Sequence, residues 1–442
     1  MPRPPILDQR IAMSTASLCA LLILALLGPT VPGQHPEGLP AGPLLKGRPF
    51  TVVWNMPTAY CKERYGIDLD LSDFDIIQNH HEKFLGQNMT IFYRNKLGLY
   101  PYLSKGGSEV NGGIPQRGFL KRHLAKAKWQ IEALLRPLFH GLAVIDWEDW
   151  RPLWAQNFGK KRKYQRLSKE LVREEHPELP SEEVDRLARK EFNKAAREFL
   201  FSTLQLGVQL RPTRRWGFYG LPSCPNYHKV RHFYNYTGHC HPKTTERNDR
   251  LDWLWSQSTA LYPSIYLPQH LAGSSDAALM VRFRVLEALR VASKYPSSVT
   301  APPVLPYARV AFAHTLRFLD KKDLEHTLGE SAAVGAAGVV LWGELQFAKS
   351  KHQCKILKDY ISSVLGNYIQ KLKRGVQQCS LGLCSGNGRC ARRNPDSGHT
   401  LLSFSSPEPH RTRGSAQLHS AFHCLCYQGW TGELCQDRIL QK

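Results

Sequence analysis

The chain has 442 residues, 42% of them hydrophobic and 22% charged. That is the balance of a globular protein with a large core, not of a disordered or fibrous chain. Lys and Arg number 59 against 37 Asp and Glu, a formal net charge of +22, which favours a polyanionic partner: nucleic acid, anionic glycan or anionic membrane.

At the start of the chain, Arg10 closes a short basic lead, an apolar run follows over 18–27, and Gly28, Pro29 and Gly33 come next. This is the layout of a secretory signal peptide, expected over 1–33 and too short to span a bilayer. No later stretch reaches the ~18 consecutive apolar residues of a spanning helix, and the end at Lys442 lacks the hydrophobic tail that directs a lipid anchor. The expectation is a protein of the secretory pathway, secreted or lysosomal, without a transmembrane segment or anchor, and not a nucleic-acid binder. Of 11 cysteines, Cys19 lies in the leader, leaving ten, an even number suited to five disulfides. Asn88-Met-Thr90 and Asn235-Tyr-Thr237 are candidate glycosylation sites.

Residues 34–48 are Pro- and Gly-rich and read as an extended leader. Strand candidates follow at 50–54, 88–93, 142–145, 216–219, 264–267, 304–310 and 339–342. Helical patterns lie between several of them. The clearest has Ser181 as N-cap, Glu182 and Glu183 in its first turn, and Val184, Leu187, Ala188, Phe192, Ala195, Ala196, Phe199 and Leu200 at helical spacing before Pro212. Strands alternating with helices predict an α/β domain with a parallel, barrel-like sheet.

The stretch Gly141 to Trp154, GLAVIDWEDWRPLW, joins an apolar run to acids. Leu142 to Ile145 read as a buried strand, and Asp146 and Glu148 follow two residues apart. On a continuing strand both point to one face, with α-carbons about 6.6 Å apart. Two such carboxyl groups, partly desolvated among Trp147 and Trp150, cannot both ionise easily, so one pKa is expected to rise. That arrangement suits a general acid beside an ionised partner. Other expected strands also end in polar or aromatic groups: Asn55, Tyr93, Tyr219, Tyr266, Tyr307 and Trp342. At the C-terminal ends of parallel strands they would line a cleft for sugar rings.

After Arg374 the composition changes. Cys379, Cys384, Cys390, Cys424, Cys426 and Cys435 form a six-cysteine module that looks like an epidermal-growth-factor-like fold, with 33 residues inserted between Cys390 and Cys424. The Ser-, Pro- and His-rich part of that insertion, 399–419, reads as a flexible loop. Six cysteines admit about fifteen pairings, and spacing alone does not choose among them.

Taken together, Trp54-Asn55, Met89-Thr-Ile-Phe-Tyr93, Leu97-Gly-Leu-Tyr-Pro-Tyr102, Gly112-Gly-Ile-Pro-Gln116, Gly141-Leu-Ala-Val-Ile-Asp-Trp-Glu148, Trp216-Gly-Phe-Tyr219, Tyr262-Pro-Ser-Ile-Tyr266 and Gly335-Ala-Ala-Gly-Val-Val-Leu-Trp342 resemble the animal hyaluronidases nearly end to end. Asn111-Gly-Gly and Cys390-Ala-Arg-Arg393 lean towards type-3 members, with type 1 the alternative. The resemblance implies a distorted (β/α) TIM-like barrel over 49–374 and a growth-factor-like module over 375–442. It also implies disulfides Cys61–Cys354 and Cys224–Cys240, and, by analogy with growth-factor-like modules, Cys379–Cys390, Cys384–Cys424 and Cys426–Cys435. The implied activity is retaining endo-β-N-acetylhexosaminidase cleavage of hyaluronan, and more slowly chondroitin, with no cofactor or metal. Glu148 would be the proton donor and the substrate's N-acetyl oxygen the nucleophile, with Asp146 and Tyr219 holding that group. Asn55, Tyr93, Arg151, Ser264, Tyr266, Arg284, Tyr307 and Trp342 would line the subsites. One departure stands out: family members often carry Asp before Cys224, where this chain has Ser223. It leaves room for a second reading, a hyaluronan-binding or receptor-like protein with weak catalysis.

Overall fold

β-Branched and aromatic residues, which favour a pleated, half-buried surface, form the main strands Thr51–Asn55, Met89–Tyr93, Leu142–Asp146, Arg215–Phe218 and Gly338–Trp342, with shorter ones at Ile76–Ile77 and Tyr307–Ala308. The structure is a computed structural model that describes residues 39–40, 42–80, 82–213, 215–226, 236–296, 300–405 and 418–439. The expected signal segment, Cys19, the start of the leader and Asn235 lie outside the described residues.

These strands pair in parallel. One sheet runs Tyr307–Ala308, Gly338–Trp342, Thr51–Asn55, Ile76–Ile77, and the other Met89–Tyr93, Leu142–Asp146, Arg215–Phe218. Between them run single parallel bridges, Tyr219 to Tyr262, Leu261 to Val304 and Ser264 to Tyr307. The expected strand 264–267 is thus displaced to 261–264 and reduced to bridges, and 304–310 contracts to two residues. Proline explains both. Pro263, Pro303 and Pro306 lack the N–H a ladder needs, while their carbonyls still accept from Tyr307, Leu261 and Val340 at 2.8, 3.0 and 2.9 Å. Among the described residues no ladder joins Ile76–Ile77 to Met89–Tyr93; there Asn88, exposed ahead of its strand, donates through Nδ2 to the Ile77 carbonyl at 3.0 Å.

Alternation along each strand sorts side chains into two layers. Val53, Met89, Ile91, Leu142, Val144, Leu305 and Val340 share an inner core. Trp54, Phe92, Ala143, Ile145, Trp216, Phe218 and Leu341 face the other way, into the core shared with the helices. Gly217 belongs to the inner set by alternation, and a Cβ there would lie 2.2 Å from the Ala260 carbonyl oxygen. Only glycine admits that close approach. The long helix Ser181–Leu210 buries Val184, Ala188, Phe192, Ala196, Phe199 and Leu200 as expected, but its N-cap is Pro180, with Ser181 already in the first turn. Among the described residues no helix is long and apolar enough to cross a membrane.

Five disulfides join Cys61 to Cys354, Cys224 to Cys240, Cys379 to Cys390, Cys384 to Cys424 and Cys426 to Cys435, the same pairs the resemblance implies. Strands Gly388–Arg392 and Phe422–Cys426 pair antiparallel. The boundary expected at 374/375 falls inside the helix Gly366–Leu383. The first part of the expected loop is ordered, since Leu401 is 1% exposed and Leu401–Phe404 form a helical turn, whereas 406–417 lie outside the described residues.

A buried ion cluster ties this C-terminal region to the helices around the sheet. Arg392 meets Glu330 through both terminal nitrogens, at 2.7 and 2.9 Å, and Arg282 Nε meets the same carboxylate at 2.6 Å. All three side chains are at most 7% exposed. Removing the shared carboxylate would leave two buried guanidinium groups facing each other, Arg282 with only the exposed Asp396 as counter-ion and Arg392 with only the His399 and Pro395 carbonyls. Glu330→Ala is therefore expected to cost about 3–5 kcal/mol in denaturant unfolding under non-reducing conditions, while Glu183→Ala, at an exposed pair, leaves the midpoint in place. Equal, small shifts would show that the cluster contributes nothing beyond a surface pair.

Candidate active site

The rule that fills the inner core also builds the site. Two residues beyond Val53, Ile91, Val144, Gly217 and Val340 come Asn55, Tyr93, Asp146, Tyr219 and Trp342; Ser264 and Tyr307 follow Tyr262 and Leu305 in the same way. Register sets three pairs level, Tyr93 opposite Asp146, Asn55 opposite Trp342 and Ser264 opposite Tyr307, and staggers the rest, with Tyr219 opposite Tyr262 and Tyr307 opposite Val340. The Tyr219 N–H donates to the Ile145 carbonyl at 3.0 Å. The C-terminal strand ends thus carry one layer of polar and aromatic groups on an apolar floor, and Tyr93, Tyr219, Tyr266 and Trp342 pack directly against that floor.

The strand stops at Asp146, so Glu148 is carried by the loop beyond it and is exposed, while Asp146 is half-buried. The continuing strand expected from sequence is not there. Burial, reinforced by the neighbouring Glu148 charge and only partly offset by Arg151, pushes Asp146 from its ordinary 3.8 up to about 7. The raised member of the pair is therefore the inner carboxyl.

The loop is pinned from several sides. Trp147 stacks on Tyr100 with centroids 4.5 Å apart and meets Phe218 edge-on at 5.9 Å. Trp150 stacks on Tyr100 at 5.0 Å and donates through Nε1 to the Pro101 carbonyl at 2.8 Å. Arg94 holds Asp149 at 2.6 Å. Lys161 donates through Nζ to the carbonyl of Glu148 and, at 3.0 Å, to that of Asp149. Burial first, then the Arg151 charge, pushes Lys161 down to about 8. Sequence reading missed Lys161 and Arg94, and placed Asp149 beside the acid pair without a role. Their only sequence signal is charge near the acid pair, and the contacts exist only once the loop folds back.

The opposite wall is phenolic. Tyr219 Oη donates to Ser264 Oγ at 3.3 Å, and burial pushes Tyr219 up to about 12. Burial likewise raises Tyr93, Tyr266 and Tyr307, so these phenols stay neutral donors. Tyr219 meets Tyr307 edge-on at 5.0 Å, and Tyr266 stacks with Trp342 at 6.1 Å. Asn55, fully buried, has no hydrogen-bond partner for either amide atom, and the buried Tyr307 hydroxyl has none either.

The two arginines expected to line subsites differ. Arg284 is buried and gives Nη1 to the Ser264 carbonyl at 2.8 Å and Nε to Asn226 Oδ1 at 2.9 Å, so it supports the wall from behind. Arg151 is half-buried beside Asp146, its backbone tied to Asn157 Oδ1 at 2.7 Å. The Ser223 carbonyl accepts from Asn248 at 2.9 Å. Among the described residues no group of three or more His, Cys, Asp or Glu could hold a metal ion.

Residues 39–439 match the family described as hyaluronidase. The chain is 45% identical to hyaluronidase-1 of Homo sapiens over 90% of its own length and 94% of that protein's. It is also 45% identical to hyaluronidase-3 of Sus scrofa, over 89% and 92% respectively. Among solved structures it is similar to bee venom hyaluronidase in complex with a hyaluronic acid tetramer, with a TM-score of 0.64 and 32% identity, covering 72% of this chain and 98% of that one.

The shift at Asp146 has a consequence for stability. Between 3.8 and about 7 the folded chain holds a proton at Asp146 that the unfolded chain has released. The contribution of this group to stability therefore falls as pH rises through that window and is level above it. Asp146→Asn removes the fall, so in urea unfolding at a series of pH values the variant should gain on the parent as pH rises to neutrality. A difference independent of pH would mean that Asp146 titrates at its ordinary value.

Proposed function

The chain belongs to the hyaluronidase family of glycoside hydrolases, and on that premise we propose that it cleaves the β-1,4 bond between N-acetylglucosamine and glucuronate in hyaluronan, and more slowly acts on chondroitin. The parallel order of strands and bridges fits a distorted (β/α) barrel over 49–374. The three C-terminal disulfides fit a growth-factor-like module over 375–442. The ten paired cysteines accord with passage through the secretory pathway to a secreted or lysosomal destination.

The division of labour between the two acids follows from their surroundings. Glu148, exposed on its loop, can reach the glycosidic oxygen of a bound chain. Asp146, beneath it and half-buried, can reach only what a sugar pushes into the cleft. In the free protein burial favours a proton on Asp146, whereas the acetamido N–H of a bound sugar, donating to that carboxyl, favours its ionised form. With the proton on Glu148, Asp146 is the carboxylate that accepts from the acetamido N–H, and Tyr219, a neutral phenol, donates to the same group. The acetamido oxygen then attacks the anomeric carbon as the C–O bond breaks and the Glu148 proton passes to the leaving oxygen. Water opens the cyclic intermediate, giving its proton back to Glu148, and two displacements at one carbon retain its configuration. The observation that carries this reading is the shielded Asp146 beside an exposed Glu148: the layer offers a group to orient an amide rather than an open nucleophile.

The +22 net charge suits a polyanionic glycan, and the stacked Tyr266 and Trp342 suit sugar faces. Glu148→Gln should lower hyaluronan turnover by about 10²–10⁴-fold while secretion and disulfide formation persist. Size-resolved digestion of hyaluronan and chondroitin from about pH 3.5 to 7.5 checks this across the range where such carboxyls titrate. A variant as fast as the parent would remove Glu148 from its role. A parent that cuts neither glycan would favour the binding-protein reading.

A further inference from the structure

A second charged pair stands on the rim of the cleft. Arg309 and Glu344 lie two residues beyond Tyr307 and Trp342, just past the ends of the paired strands Tyr307–Ala308 and Gly338–Trp342. Glu148 and Tyr266 likewise lie two residues beyond Asp146 and Ser264, so all four residues sit on segments that follow the site layer. Arg309 gives both terminal nitrogens to Glu344, at 2.7 and 2.9 Å. Its Cζ is 5.5 Å from the centre of the Trp342 ring, 5.8 Å from that of Tyr266 and 5.7 Å from that of Phe347.

The two partners are unequal. The Arg309 side chain is 6% exposed and the Glu344 side chain 36%. Arg309 is wedged among rings, with its buried Nε lacking any hydrogen-bond partner, whereas Glu344 faces outward. A carboxylate beside the sugar-stacking Trp342 would repel a polyuronate chain unless something neutralised it, and Arg309 does so. The forked grip is also the one a guanidinium offers to any carboxylate, including that of a uronic acid.

We propose that Arg309 is a recognition residue for the uronate carboxylate, covered in the free protein by Glu344, which the incoming carboxylate displaces from the guanidinium fork. This deepens the hyaluronan reading and rests on it. Glu344 is then a selectivity device: a glycan with a carboxylate in its repeat replaces it in kind, while a neutral N-acetylhexosamine polymer has nothing to offer Arg309 in exchange.

The test uses the full-length chain carrying Glu148→Gln, so that binding is read without turnover. Two probes are titrated calorimetrically: a hyaluronan oligosaccharide and the same oligosaccharide with its carboxyl groups reduced to alcohols. Glu344→Gln should tighten the native oligosaccharide roughly tenfold, the worth of a charge-assisted contact freed from its competitor, and leave the reduced one unchanged. Adding Arg309→Gln should erase the gain, with thermal unfolding confirming that each variant is folded. Glu344→Gln that weakens both probes, or tightens both alike, would make the pair a structural clamp and overturn the proposal alone. Folded protein that binds neither probe would overturn the hyaluronan reading and this proposal with it.

Discussion

A carboxyl group carried on a strand whose inward neighbours are all apolar cannot hold its charge as it would in water. Val144 precedes Asp146 on that face, Ile91 lies opposite Val144 on the next strand, and Val53 and Phe84 belong to the same core. The core that stabilises the sheet is thus the medium that raises Asp146 to about 7. Burial and function arise from one alternation: each strand spends its inward residues on the floor and the next on the site. The neighbouring phenols share that fate, and Tyr219, lifted to about 12 by burial, stays a neutral donor at acidic and neutral pH.

Much of this was legible in sequence because a period of two is local. The apolar run ending in Asp146, and the polar or aromatic ends at Asn55, Tyr93, Tyr219, Tyr307 and Trp342, can be read by counting along single segments. What escaped depends on contacts between segments. Which carboxyl would be shielded turned on the strand ending at Asp146, and that in turn on Trp147 and Trp150 finding Tyr100 on another loop. Arg284 looked like a cleft cation, yet its fork faces the Ser264 carbonyl and Asn226. The Arg309–Glu344 pair spans 35 residues and has no local signature. Pro263, Pro303 and Pro306 broke two expected strands into bridges, although the carbonyls on the same prolines kept the parallel order. The disulfide pairing came from resemblance, since spacing left it open.

None of the five disulfides crosses from the C-terminal region to the site; side-chain contacts make that link. Helix Ser275–Lys294 carries Arg282, which meets the Glu330 carboxylate shared with Arg392, and, two residues on, Arg284, which holds the Ser264 carbonyl. One rigid element therefore bears on both the buried ion cluster and the wall beside Tyr219. Strain at either end can reach the other through a single helix, which gives a physical reason for a disulfide-stapled region to be packed against this domain.

The central claim is that Asp146 and Glu148 are not a nucleophile and an acid: the nucleophile arrives with the substrate, and Asp146 only orients it. Hyaluronan oligosaccharides in which the N-acetyl methyl carries successive fluorines weaken that oxygen as a nucleophile while barely changing its size. The account predicts that kcat falls steeply with each fluorine while binding to the Glu148→Gln protein changes little. A kcat indifferent to fluorination would contradict it and return the nucleophilic role to the protein's own carboxyl groups.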